Sequence, residues 1–155
     1  MSFDLRDHTA DVAVEATGAT LAALFAAVAD GFVAASCDAV PTDDRHGTFE
    51  VAVEAEGLEA LLFDYLDQLI YERDVRGVLP TDHRVQLSLP DDPTDAASDA
   101  DDPTTDPGGR WHLSGSYRGV PLESIDAREV KAVTYSEMRI EETTSGWSAY
   151  VVFDV

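Results

Sequence analysis

Asp11, in the segment His8-Thr9-Ala10-Asp11, and Asp154, beside the α-carboxylate of Val155, place hard oxygen donors near both ends of the sequence. If these ends meet, three carboxylates converge, and each pair at about 4 Å repels by roughly 4 kcal/mol at an effective dielectric near 20. Proton uptake or a cation must relieve that repulsion. Oxygen donors with no cysteine nearby favour Ca²⁺ or Mg²⁺ over zinc. Spacing alone leaves other readings open, with Asp11 as a turn residue and Asp154 as a solvated strand end.

Lys131 is the single lysine in 155 residues, against nine Arg, 31 Asp plus Glu and a formal charge of −21. It lies in the strand-like run Val130-Lys131-Ala132-Val133-Thr134-Tyr135 and shares parity with Val133 and Tyr135, so its stem is expected on a partly apolar surface. A desolvated ammonium needs a carboxylate partner or loses its proton. Lys131 can therefore be a structural ion pair, a contact to a partner protein, or a nucleophile, although nothing around it suggests a carbonyl or phosphate pocket. His8 is of interest through its place beside Asp11. His46, His83 and His112 lack metal-ligand spacing. There is no P-loop and no Gly-rich dinucleotide turn, and Ser114-Gly115-Ser116 does not have the pattern of a nucleophile elbow.

The elements that must position these groups follow from periodicity. Phe3 to Leu5 and Val12 to Ala16 alternate as short strands, joined through His8 to Asp11. Thr20 is placed to cap a helix whose apolar positions Leu21, Leu24, Phe25, Val28 and Phe32 run to about Ser36, with Gly31 weakening the last turn. Phe49 to Ala55 is a strand. Leu58, Leu61, Leu62, Tyr65, Leu66, Leu69 and Ile70 then mark a long amphipathic helix, with Glu59, Asp67 and Glu72 assigned to its outer face. Strand-like runs follow at Arg84 to Leu89, Trp111 to Tyr117, Val130 to Tyr135, Met138 to Glu142 and Trp147 to Val155. The last is apolar enough to be central or well covered, and it ends flush at Val155.

Helices early and strands late predict an α+β fold: a two-layer sandwich with a largely antiparallel or mixed sheet and two main helices packed on one face. Residues 1–155 fit one domain. Residues 90–110 hold seven Asp, four Pro and two Gly with almost nothing apolar, and are expected to form a mobile acidic loop within it.

Composition narrows the function classes. The single cysteine, Cys37, is expected to be a small buried thiol, and together with the lack of a signal-peptide pattern it suggests a reducing cytoplasm. No run approaches the ~18 apolar residues of a membrane span. Self-repulsion at this charge weakens as the Debye length falls from about 8 Å at physiological ionic strength to about 3 Å at 1 M, which suits a salt-rich cytoplasm such as that of a halophilic archaeon. The same charge opposes direct nucleic-acid binding, which depends on Lys and Arg displacing counterions from phosphates.

The ordered set His8-Thr9-Ala10-Asp11-Val12, Gly57-Leu58-Glu59-Ala60-Leu61-Leu62, Glu129-Val130-Lys131-Ala132-Val133-Thr134-Tyr135 and Val151-Val152-Phe153-Asp154-Val155 resembles the archease family along the whole chain apart from residues 90–110. The resemblance implies a non-catalytic protein cofactor of the RtcB-type RNA ligase of tRNA splicing. It would promote guanylylation of the ligase's active-site histidine, allow repeated turnover and broaden the use of nucleoside triphosphates. It also implies that Asp11, Asp154 and Val155 bind a divalent metal (Ca or Mg, with Mn also compatible), and that Lys131, with His8, contacts the partner or its nucleotide site. Ser136 departs from the family pattern, where a histidine often follows the Lys-Ala-Val-Thr-Tyr segment, so that histidine's role does not transfer. Three other readings stay open: a chaperone or modulator of a tRNA-modifying enzyme such as a methyltransferase, a plain Ca/Mg-binding module, and, least favoured, a metal-dependent hydrolase.

Overall fold

The computed structural model describes residues 2–7, 11–37, 47–88, 111–125, 127 and 130–154. His8, Val155 and the 90–110 segment lie outside the described residues. In chain order the elements are β1 (Ser2–Asp7), β2 (Asp11–Gly18), α1 (Leu21–Ser36), β3 (Thr48–Ala55), α2 (Leu58–Arg76), β4 (Val78–Ser88), β5 (Trp111–Pro121), a 3₁₀ turn (Leu122–Ser124), β6 (Ala132–Thr143) and β7 (Gly146–Asp154). This is the expected α+β arrangement of antiparallel strands and two helices. The strands divide between a four-stranded sheet of order β1-β2-β7-β6 and a three-stranded sheet of order β3-β5-β4.

Thr20 caps α1 as its position predicts, its hydroxyl accepting from the Ala23 N–H at 3.1 Å. Leu24, Phe25, Val28 and Phe32 are fully buried and so, nearly, are Ala27 and Ala29. A helix covered on almost every side must be enclosed. Accordingly, α1 packs against β1, β2 and β7 of the larger sheet and against β4 of the smaller one. Gly31 is tolerated within the helix, which runs to Ser36 as expected, because the bare Cα lets Val14 of β2 approach where a Cβ would collide with its side chain. The buried Cys37 follows, its N–H bonded to the Val33 carbonyl at 2.9 Å.

α2 is buried along one side by Leu61, Leu62, Tyr65, Leu66, Leu69 and Ile70, and Gly77 closes it in the left-handed conformation (φ 67°) with its N–H on the Arg73 carbonyl. It lies against β3, β4 and β5 and also against β6, so both helices tie the two sheets together. Aromatic pairs line the core: Phe25 of α1 with Tyr65 of α2 at 6.4 Å, Phe32 of α1 with Phe153 of β7 at 5.7 Å, and Phe49 with Tyr117 across the smaller sheet at 5.4 Å. Each such side chain contributes about 1.5–3 kcal/mol by its burial.

Two irregularities matter for function. In β4 the register shifts between Thr81 and Arg84, with Asp82 left-handed at φ 53°. In β6 Thr134 pairs with Val152 and Arg139 with Tyr150, so five steps on β6 span two on β7, and Glu137 is left-handed at φ 60°. The two expected strands at Val130 to Tyr135 and Met138 to Glu142 are therefore replaced by one, Ala132–Thr143, interrupted by a wide bulge.

Candidate functional site

β7 lies between β2 and β6, and the register of both neighbours converges on Asp154. Asp11, the first residue of β2, is its partner on one side, and Ala132, the first residue of β6, is its partner on the other. Directly opposed residues in an antiparallel pair have Cα atoms roughly 4.5–5.5 Å apart. Asp154 is exposed, while Phe153 beside it is fully buried, so the strand ends with its carboxylate at the rim of the core. His8 and Val155 lie outside the described residues, and among these no group of three or more His, Cys, Asp or Glu side chains forms a cation site. The donor chemistry of Asp11 and Asp154 fits a hard divalent cation and not a thiophilic one.

Lys131 is held at the same end. Its N–H donates to the Asp154 carbonyl at 2.8 Å. One residue earlier, the carbonyl of buried Val130 accepts from Nη1 of Arg73 on α2 at 2.7 Å. The Arg73 guanidinium, itself buried, is oriented by Asp74 through Nε at 3.0 Å and Nη2 at 2.9 Å. Lys131 is exposed, and it precedes the regular strand instead of lying within it as the run Val130 to Tyr135 predicts. Val130 takes the buried position, and the strand begins only at Ala132. Arg73 was not foreseen, because its role depends on a contact 57 residues away in sequence.

A second polar group corrects another expectation. Glu72, assigned to the outer face of α2, is 8% exposed and accepts from the Tyr117 hydroxyl at 2.5 Å, Arg76 Nε at 3.0 Å and Gln68 Nε2 at 3.0 Å. Burial works to raise its pKa, but the three hydrogen bonds and the Arg76 charge outweigh it and hold the carboxyl below its usual value. Burial and the Glu72 bond push the Tyr117 hydroxyl up.

A third group was also invisible from spacing. His83 of β4 faces inward, its side chain without exposure and its Nδ1 3.3 Å from Asp30 Oδ1 of α1. Nearby, burial and the Asp30 charge both raise the pKa of the Tyr65 hydroxyl on α2. A shallow cleft of about 470 Å³ on the outer face of the smaller sheet, between Glu50 and Arg84, is lined in part by Ser114, Gly115 and Ser116, the segment that lacks the nucleophile-elbow pattern.

Comparison with known proteins agrees with the fold. The model of the archease protein family matches residues 3–155. The chain is 34% identical over 151 residues to protein archease of Thermococcus gammatolerans, covering 96% of this chain and 95% of that protein. It is 30% identical over 153 residues to protein archease of Pyrococcus furiosus, with 96% and 95% covered. Its fold is similar to the solution structure of a protein from Methanobacterium thermoautotrophicum, with a TM-score of 0.76 at 24% identity, covering 99% of this chain and 98% of that one. It is also similar to the crystal structure of an archease, possible chaperone, from Thermotoga maritima, with a TM-score of 0.61 at 21% identity, covering 97% and 94%. With the family pattern spanning nearly every residue and curated relatives matched over almost their full length, the chain belongs to the archease family.

Proposed function

We propose that this chain activates an RtcB-type RNA ligase in tRNA splicing, as a protein cofactor with no catalysis of its own. The carrying observation is the register that makes Asp11 and Asp154 strand partners and bonds the Lys131 backbone to Asp154, so that three positions marked by the family resemblance stand at one sheet end. Asp11 and Asp154, with Val155, would hold a divalent cation, Ca²⁺ or Mg²⁺ by donor chemistry and Mn²⁺ as a further candidate. When bound, that ion supplies positive charge beside the acidic strand ends. Lys131, pinned through its backbone by Asp154 and through Val130 by Arg73, directs an ammonium to the partner or its nucleotide. His8 joins the same contact. The formal charge of −21 directs this surface to a protein and not to RNA.

The test mixes the protein with its host's ligase, GTP and divalent metal at high salt and follows the covalent guanylyl intermediate. Guanylylation should be faster with the parent chain and not with Asp11→Ala or Asp154→Ala; full activity in both variants would refute the role of the carboxylates. A second reading is a chaperone or modulator of a tRNA-modifying enzyme, of which only the chaperone part has a counterpart in the Thermotoga maritima relative, a possible chaperone. A methyltransferase stimulated in place of the ligase would support it.

A further inference from the structure

The wide bulge of β6 turns an aromatic ring toward solvent. One face of Tyr135 stacks on Phe63 of α2, with centroids 4.2 Å apart and planes within 3°, yet the residue remains 54% exposed. Ser136 and Glu137 beside it are exposed, and the Thr134 hydroxyl accepts from the Ser136 N–H at 3.2 Å. Glu137 has φ 60°, a left-handed conformation that costs a non-glycine residue about 1–2 kcal/mol. Local strain that exposes a ring, on a strand at the edge of its sheet, runs against burial and points to use.

The surroundings define the chemistry of that use. Asp64 directly follows Phe63, on which Tyr135 stacks, and after the effect of burial its negative charge further raises the pKa of the Tyr135 hydroxyl. At 100° per residue, Asp64, Asp67, Tyr71 and Val75 form a continuous outward stripe of α2. All four are exposed. Tyr71 and Val75 are 58% and 63% exposed, and with Tyr135 they are the exposed large hydrophobic residues among those described.

We propose that Tyr135 and Asp64 form a receptor for an arginine side chain of a partner protein, and that Tyr71 and Val75 extend the docking surface around it. A guanidinium is planar, stacks on an aromatic face and ion-pairs with a carboxylate at once, which an ammonium does less well. A nucleobase would also stack, but Asp64, Asp67 and Glu137 repel its phosphates. The partner surface is thus arginine-bearing, with apolar side chains for Tyr71 and Val75. Lys131 precedes Tyr135 by four residues, roughly 13 Å along the strand, so a partner seated here also reaches the carboxylate end. The identity of that partner rests on the activator reading; the arginine receptor does not.

Two measurements separate these claims. Interferometry with the purified ligase should show Tyr135→Ala binding about tenfold or more weaker, with Tyr135→Phe within about threefold, as for an aromatic anchor. Asp64→Asn should weaken binding and flatten its salt dependence. Melting curves of each variant check folding. Unchanged ligase binding by Tyr135→Ala would overturn the inference and leave the activator reading standing. If the parent chain does not bind the ligase, the activator reading fails, and the receptor is then judged on ring resonances of ¹³C-tyrosine protein titrated with acetyl-arginine amide, acetyl-lysine amide and a single-stranded RNA. A Tyr135 response strongest for the arginine amide and reduced in Asp64→Asn supports it; no response, or one strongest for RNA or lysine, overturns it.

Discussion

Replacing Asp154 with Asn removes the carboxylate from one of the two acidic residues that the β2–β7 register sets opposite each other. Two unit charges about 4 Å apart repel by roughly 1 kcal/mol in water and roughly 4 kcal/mol at an effective dielectric near 20. Asp154 is exposed, so the lower figure applies. Metal-free Asp154→Asn should therefore be about 1 kcal/mol more stable than the parent, or about 2–4 °C in Tm for a chain of this size. With Ca²⁺ at about a hundred times its Kd, the parent gains about 2.7 kcal/mol, whereas the variant, short of one charged ligand, gains much less. The order of the two melting temperatures should then cross between EDTA and calcium. Scanning calorimetry in both buffers checks this, at about 0.15 M and about 1 M KCl, because the metal-free difference must shrink as the Debye length falls from about 8 to about 3 Å. A variant that melts below the parent in EDTA and responds equally to calcium would refute the electrostatic argument.

Three further outcomes concern the frame of the site. Glu72→Gln keeps an acceptor for Tyr117 but loses the charge facing Arg76, and should cost about 1–2 kcal/mol near neutral pH by chemical denaturation. Because the folded pKa of Glu72 lies below its unfolded value near 4.3, this stabilisation is complete above that value and drains away as the pH falls through the folded pKa; a gap that persists undiminished to about pH 2 would contradict the hydrogen-bond account. Arg73→Gln should destabilise by about 2–3 kcal/mol and speed hydrogen exchange at the Lys131 amide relative to the rest of β6, which native-state exchange would read residue by residue. Gly31→Ala gains helix propensity of about 1 kcal/mol yet meets Val14, and the net effect should be a loss that Val14→Ala partly reverses in a double-mutant cycle.

The fold was legible where one period ran unbroken. The Thr20 cap, the apolar spacing of α1, the long stripe of α2 and the alternation of β2 and β7 all survive folding because each follows the period of its own element. The division into two sheets was not legible, since alternation marks a strand without naming its neighbour. Glu72 was placed on the wrong side because charge was read as solvation. At about 100° per residue it falls within roughly 20° of Tyr65 in the buried stripe, and only Tyr117 from β5 explains a carboxylate there. Bulges hide in sequence as well: no glycine stands at Glu137 to signal a left-handed turn, so the outward Tyr135 could not be foreseen. The candidate site was half visible. Asp11, Asp154 and Lys131 stood out by type and position, whereas Arg73, which fixes the Val130 carbonyl, is one ordinary helical arginine until β6 is laid beside it.

The central place of β7 has a bearing on biosynthesis. β2 must wait for a neighbour made roughly 130 residues later, on the order of ten seconds at ordinary ribosome speeds. Until then β1 and β2 form only a two-stranded ribbon, which is marginal by itself. The nascent chain thus carries unpaired edges through most of its translation, with its abundant negative charge keeping neighbouring nascent chains apart. Juxtaposition of Asp11 with Asp154 is consequently among the last events of assembly, and reports that the larger sheet is whole.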